Sequence, residues 1–125
     1  MGDERHHTTL VVEKRDGARA EFRMNRYTNV ADLALKAVEQ AVEAAASRLG
    51  LHFHTNPRSA HLERGRWLKQ NLSEVATDFD MLWSACGDLG YDGLDGKRAR
   101  EALQSMEKIL NAIEAKTGVR FGKHR

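Results

Sequence analysis

The stretch NVADLALKAVEQAVEAAASRLG, residues 29–50, decides the fold class of this chain. Its apolar residues recur every three or four positions, which predicts one face of an amphipathic α-helix. They are Val30, Leu33, Ala34, Ala37, Val38, Ala41 and Ala45. Asn29 is suited to cap the start of this helix, and Gly50 is suited to end it in the left-handed conformation. The many alanines indicate that another helix approaches this face closely.

Three further segments have the same helical spacing. The first follows the N-cap candidate Ser59, the second starts near Ser73, and the third runs from Asp95 to Gly118. Their apolar stripes are Leu62, Trp67, Leu68 and Leu72; Val75, Ala76, Phe79, Leu82, Trp83 and Cys86; and Ala99, Leu103, Met106, Ile109, Leu110 and Ile113. Four amphipathic helices with short connections predict an antiparallel four-helix bundle.

Residues 8–24, TTLVVEKRDGARAEFRM, have a pattern that favours β-structure. Asp16-Gly17 is a favoured pair for a two-residue hairpin turn, because both positions need a positive φ. Apolar side chains alternate with mostly polar ones on both sides of that turn: Leu10 and Val12, then Ala20, Phe22 and Met24. A lone hairpin is marginal in water, so we expect it to lie on the helical body or to join a partner's sheet.

The predicted fold is therefore mainly α, with an N-terminal β-hairpin. The tail and hairpin occupy residues 1–26, the helical bundle 27–118, and a basic C-terminal tail 119–125. A chain of 125 residues that is 41% apolar and 30% charged has the size and composition of one globular domain. We expect the basic tail to be mobile.

Charge and cysteine content narrow the functional classes. Twenty basic and eighteen acidic residues give a net charge of +2, which is too small for a nucleic-acid coat protein but allows a local basic patch. The single cysteine excludes an internal disulfide framework and fits a reducing cytosol. No apolar run is long enough to cross a membrane, and MGDERHHTTL lacks the pattern of a signal peptide. We expect a cytoplasmic protein without membrane contact.

The stretch HFHTNPRSAHLERGRW, residues 52–67, contains the strongest candidate site. His52, His54, His61 and Glu63 are residue types that bind zinc, but their spacing does not specify a tetrahedral site. We therefore predict no metal there. The alternatives are a phosphate-binding cluster and a solvated helix face.

A second candidate, DLGYDGLDGKRARE, starts at Asp88 and resembles a calcium loop. Asp92 and Gly93 fall on the fifth and sixth positions of such a loop, but the twelfth is Ala99, where a bidentate Glu is required. We interpret this segment as a turn that caps the last helix, and we predict no metal or other cofactor. Cys86 lies on an apolar stripe, so we expect an inert thiol.

Arg58, His61 and Arg64 form the predicted phosphate site. At helical spacing these side chains lie about one turn from each other. Arginine supplies a permanent charge and planar donors, and histidine titrates near neutral pH.

Residues 27–116 together resemble the HEPN domain (higher eukaryotes and prokaryotes nucleotide-binding). The alanine-rich helix ADLALKAVEQAVEAAASRLGL, the following NPRSAHLERGRWL and the later FDMLWSACGDLGYDGLDGKRAREALQSMEKILNAIEA are similar to the order of elements in that family. The resemblance implies a helical domain, commonly a homodimer, that binds a nucleotide or RNA. Many members are ribonucleases or toxins paired with a nucleotidyltransferase-like antitoxin. It also adds the joint residues Tyr91 and Asp92 to the predicted site.

Ribonuclease members of that family carry an Arg, four to six residues and then a His near the start of the last helix. Arg48 and His54 have this spacing but lie at the end of the first long helix, and Arg120 and His124 lie in the tail. The mismatch favours a binding module without catalysis, and we assign no catalytic residue. The predicted ligand-binding residues are Arg58, His61, Arg64, Tyr91 and Asp92. The alternatives are a metal-independent ribonuclease and a non-catalytic structural or protein-interaction dimer.

Overall fold

The computed structural model describes residues 4–56, 58–87 and 93–122. These residues form five α-helices and two single turns of 3-10 helix, and no strand occurs among them. The helices are α1 (Glu4–Arg23), α2 (Tyr27–Ser47), α3 (Ala60–Asn71), α4 (Ala76–Cys86) and α5 (Gly96–Thr117), and the 3-10 turns are Phe53–Thr55 and Ser73–Val75. The mainly α class is confirmed. The four predicted helices are present as α2 to α5, and α1 is additional.

Helix α2 lies at the centre of the fold, in contact with α1, α3, α4 and α5. Its buried residues lie on every side of the helix: Val30, Ala31, Ala34, Leu35, Ala37, Val38, Glu39, Ala41, Val42, Glu43, Ala44, Ala45 and Ala46. A helix that is apolar all round is stable only when other elements cover it. Small alanine side chains let the neighbouring helices approach, as the sequence predicts.

The predicted N-terminal β-hairpin is wrong, because its residues belong to α1. The residues that α1 buries are His7, Val11, Arg15 and Ala18, at spacings of four, four and three. Two of these four are polar, so the apolar residues alone do not show the helical period of α1. The alternation of apolar and polar residues, which favours a strand, is then the clearer signal. Gly17 is inside the helix, where an added Cβ would lie 3.4 Å from Cδ1 of Leu33. Its small size serves packing rather than a turn.

The chain reverses between α1 and α2 at Asn25, which has a left-handed φ of 59°. Glu21 holds this turn: Arg26 donates to its carboxylate through Nε at 3.0 Å and Nη2 at 2.8 Å, and Asn29 donates at 2.7 Å. These hydrogen bonds lower the pKa of Glu21 to about 2, and the hydrogen bond from Arg26 has the largest effect. The prediction that Asn29 caps α2 is therefore wrong. The helix begins at Tyr27, and Asn29 lies inside it.

The predicted ends of the last helix are confirmed. The carboxylate of Asp95 accepts a hydrogen bond from the backbone N–H of Arg98 at 2.8 Å, and Gly118 follows the helix with a φ of 80°. Beyond it, Val119 and Phe121 are buried, and the Phe121 carbonyl accepts a hydrogen bond from Arg15 at 3.1 Å. Where the sequence predicts a mobile tail, the structure packs Val119 and Phe121 against the helices.

Candidate functional site

A cleft of about 690 Å³ separates α3 from α4 on the surface of the protein. Its lining consists of Arg58, His61, Leu62, Gly65, Arg66, Lys69, Gln70, Phe79, Asp80 and Trp83. The two helices meet at Gly65, where an added Cβ would lie only 3.0 Å from Cε2 of Phe79. Gly65 lowers the intrinsic stability of α3 as a helix. Because it has no side chain, it lets α3 approach α4 closely at the base of the cleft.

The cleft exposes two large apolar side chains. Leu62 is 66% exposed and Trp83 is 44% exposed, whereas Phe79 is buried beneath them. The ring of Trp83 lies 5.6 Å from that of His61, edge to face, and 6.2 Å from that of Phe79. A concave apolar surface with a few polar groups around it is the usual form of a binding site for a small ligand.

The polar rim of the cleft carries an excess of positive charge. Lys69 of α3 is paired with Asp80 of α4 at 2.7 Å. Arg58 and Arg66 are exposed, and within residues 4–56, 58–87 and 93–122 neither makes an ion pair or a side-chain hydrogen bond. Two arginine side chains are thus available to an anionic ligand.

Beneath the cleft, two buried glutamates of α2 hold the polar side of α3. Glu43 is fully buried and accepts a hydrogen bond from Nε of Arg64 at 2.7 Å. Glu39, 6% exposed, contacts Nδ1 of His61 and lies 3.5 Å from Nη1 of Arg64. Charges buried in this way are tolerated because they are paired. Glu39 and Glu43 are four positions apart on α2, and their partners His61 and Arg64 are three positions apart on α3. Both pairs therefore lie along one helix–helix contact.

The predicted site residues divide into three groups. Arg58 and His61 line the cleft. Arg64 does not line the cleft: its side chain is 11% exposed and its guanidinium faces α2, with Glu39 joining it to His61. Tyr91 and Asp92 lie outside the described residues.

Sequence reasoning missed the two glutamates, Arg66, and the place of Trp83 in the cleft. Glu39 and Glu43 were detectable, because two acidic residues one turn apart interrupt a helix that is otherwise rich in alanine. Arg66 and Trp83 had no such signal. Their role depends on which sides of α3 and α4 face solvent, and an amphipathic pattern does not define this for a short helix with a glycine.

A metal site and a reactive thiol have little support among the described residues. Within the part of the chain that the structure describes, no three His, Cys, Asp or Glu side chains cluster in a way that could hold a metal ion. Burial raises the pKa of the Cys86 thiol, and the carboxylate of Asp32, which the thiol contacts at 3.7 Å, raises it further. A thiol that stays protonated is a poor nucleophile, which agrees with the inertness expected from the sequence.

Another cavity, of about 650 Å³, lies between α1 and α5. Its two arginines are already engaged: Arg19 pairs with Glu107 at 2.5 Å, and the guanidinium of Arg100 lies 5.6 Å from the centroid of the Phe22 ring. This cavity lacks the available arginines and the exposed indole of the α3–α4 cleft, which is therefore the stronger candidate.

Comparisons with protein-family models, with curated proteins and with solved structures return no match. The HEPN resemblance thus stays a prediction from the sequence. Among the described residues, no helix combines the length and the apolar character that crossing a membrane requires.

Proposed function

We propose that this chain is a binding module whose α3–α4 cleft holds a nucleotide or an RNA segment by its phosphates. One observation carries the proposal: two arginines without ion-pair partners among the described residues, Arg58 and Arg66, line the same cleft as the exposed indole of Trp83. A ligand that is anionic at one end and flat and aromatic at the other satisfies both features. Nucleotides have this combination of groups.

The two kinds of contact have different roles. The planar guanidinium of arginine matches a phosphate with two parallel hydrogen bonds, which fixes orientation as well as charge. A base stacked on a tryptophan contributes about 1–3 kcal/mol and does so for any base. The cleft is therefore suited to a nucleotide without strong base preference.

The spacing of the arginines favours a ligand with more than one phosphate. Arg66 lies six positions, or about 9 Å of helix axis, beyond Ala60, and Arg58 lies in the turn before that residue. Arg64, which the sequence places between them, serves in this proposal as an anchor of α3 on Glu43 rather than as a phosphate ligand.

The test is a titration of a labelled single-stranded RNA at low salt, followed by fluorescence anisotropy. We expect Arg58→Ala/Arg66→Ala to weaken binding by about tenfold or more, since each lost phosphate contact removes a charge-assisted hydrogen bond. The slope of log affinity against log salt is negative, and its magnitude should decrease by about 1.4, because each contact to a single strand contributes about 0.7.

Arg5→Ala/Arg23→Ala is the matched control. It removes the same charge from exposed positions on α1, outside the cleft lining. If this control and the cleft variant lose affinity equally, binding depends on overall charge and the proposal is wrong.

A metal-independent ribonuclease is the second candidate. The contact between Nδ1 of His61 and the buried Glu39 favours it, because a carboxylate that orients a histidine is a common arrangement for general acid–base catalysis. Incubation with total RNA in EDTA tests this activity. Cleavage that His61→Ala abolishes would support it, and intact RNA at high protein concentration would exclude it.

The homodimer and the nucleotidyltransferase-like partner rest on the HEPN resemblance alone. Exposed Leu62 is compatible with a protein contact as well as with a ligand. Sedimentation of the isolated chain tests the dimer, and co-purification tests the partner.

A further inference from the structure

The ring of His61 is anchored through one of its two nitrogens. Nδ1 contacts Oε2 of Glu39, and the same oxygen lies 3.5 Å from Nη1 of Arg64. Arg64 is held in turn by Glu43, to which its Nε donates at 2.7 Å. Glu39 is therefore fixed between two partners of α3, and the imidazole has a defined orientation.

This anchorage determines which nitrogen carries the proton. An ionised carboxylate accepts hydrogen bonds and donates none, so against ionised Glu39 the Nδ1 of His61 is the donor. In the neutral ring the lone pair is then on Nε2, at the opposite edge of the imidazole. The side chain is 58% exposed and lines the cleft. His61 thus presents an acceptor to a cleft whose arginines can only donate.

From this geometry we infer that Nε2 of His61 accepts a hydrogen bond from the 2′-hydroxyl of a bound ribonucleotide, with Glu39 as the positioning residue. The inference rests on the proposed function, since it assumes a base on Trp83 and phosphates on the arginines. The sugar links base and phosphate, and the His61 ring lies 5.6 Å from Trp83 in the same cleft as Arg58. The 2′-hydroxyl is the donor that separates ribonucleotides from deoxyribonucleotides.

Three single-stranded oligonucleotides of one sequence test the inference: RNA, its 2′-fluoro analogue and DNA. Fluorine preserves the ribose-like sugar pucker but donates no hydrogen bond. We expect the protein to bind RNA about tenfold more tightly than the 2′-fluoro strand, the effect of one lost hydrogen bond that leaves an acceptor unsatisfied. DNA should bind no more tightly than the 2′-fluoro strand. Equal affinity for RNA and the 2′-fluoro strand would overturn the inference.

Two variants separate a specific contact from a structural role. His61→Phe keeps a ring but removes both nitrogens, and should bring the ratio of RNA to 2′-fluoro affinity to within about twofold. In Glu39→Gln the amide can donate to Nδ1 as well as accept from it, so the ratio should fall between those of the wild type and His61→Phe. A purely structural effect would weaken all three strands alike and leave the ratio unchanged, which would contradict the positioning role of Glu39.

A ligand-free measurement adds an independent check. Nitrogen-15 NMR of the histidine rings should find the proton of neutral His61 on Nδ1, and a proton on Nε2 would overturn the inference. Failure of this inference is distinguishable from failure of the proposed function. If all three strands bind equally and Arg58→Ala/Arg66→Ala still weakens them, only the inference fails. If the wild type binds none of them, the proposed function fails as well.

Discussion

The packing of α2 and α5 differs in kind from the packing of α3. Helices α2 and α5 bury long stripes of apolar residues, and α2 is covered on every side. Helix α3 buries only Ala60, Gly65, Trp67 and Leu68. Its remaining attachment to α2 is ionic, through Glu39 and Glu43. Helices α2 and α5 are therefore held by extended apolar burial, while α3 has fewer buried apolar residues and leaves an open cleft beside α4.

The two tryptophans, one on the buried side of α3 and one in the cleft, give the largest expected effect. Trp67 is buried in the core and Trp83 is half-exposed in the cleft. Trp67→Ala should lower the free energy of unfolding by about 3–5 kcal/mol, the usual cost of a deleted core aromatic. Trp83→Ala should cost about 1 kcal/mol. Urea unfolding followed by circular dichroism measures both, and equal losses would show that Trp83 is also a core residue.

The ionic attachment of α3 gives the next effect. Arg64→Leu leaves the buried carboxylate of Glu43 without its guanidinium, and should cost about 3 kcal/mol of unfolding free energy. The exposed pair Lys69–Asp80 is the control, and Lys69→Ala should cost no more than about 1 kcal/mol. If the two variants lost the same stability in urea, the buried network would not be what holds α3.

A smaller effect concerns the turn between α1 and α2. The pKa of Glu21 is lowered from its usual 4.5 to about 2, so the ionised form is bound more tightly in the folded chain. Its stabilising contribution is complete above pH 4.5 and is lost as the pH falls towards 2. The stability difference between wild type and Glu21→Gln should therefore be present at neutral pH and shrink on acidification. A difference independent of pH in urea unfolding would contradict the ionic role of Glu21.

The sequence is informative where one physical signal acts alone. Helices α2 and α5 follow from apolar periodicity, and Asp95 and Gly118 end α5 as capping chemistry requires. Helix α1 was missed because Arg15 and His7 occupy its buried face. A pattern of apolar residues cannot reveal that Arg15 is buried. Its guanidinium donates a hydrogen bond to the carbonyl of Phe121, 106 positions further along the chain.

The candidate site shows the same limit. The shared location of Arg58 and His61 could be expected from the sequence, because the two residues are three positions apart near a helix start. The inward direction of Arg64 could not, since it depends on Glu43 of another helix. Trp83 has the spacing of a core residue, and only the packing of α3 on α4 leaves it half-exposed.

We propose α3 and α4, rather than α1 and α5, as the ligand-binding surface. Two-dimensional NMR of the labelled protein titrated with single-stranded RNA tests it most directly, because each backbone amide and indole reports its own contact. We predict the largest shifts at Arg58, His61 and Arg66 and at the indole N–H of Trp83, with little change at Trp67. Shifts centred on Arg19, Arg100 and Lys108, or no shifts at all, would contradict the account.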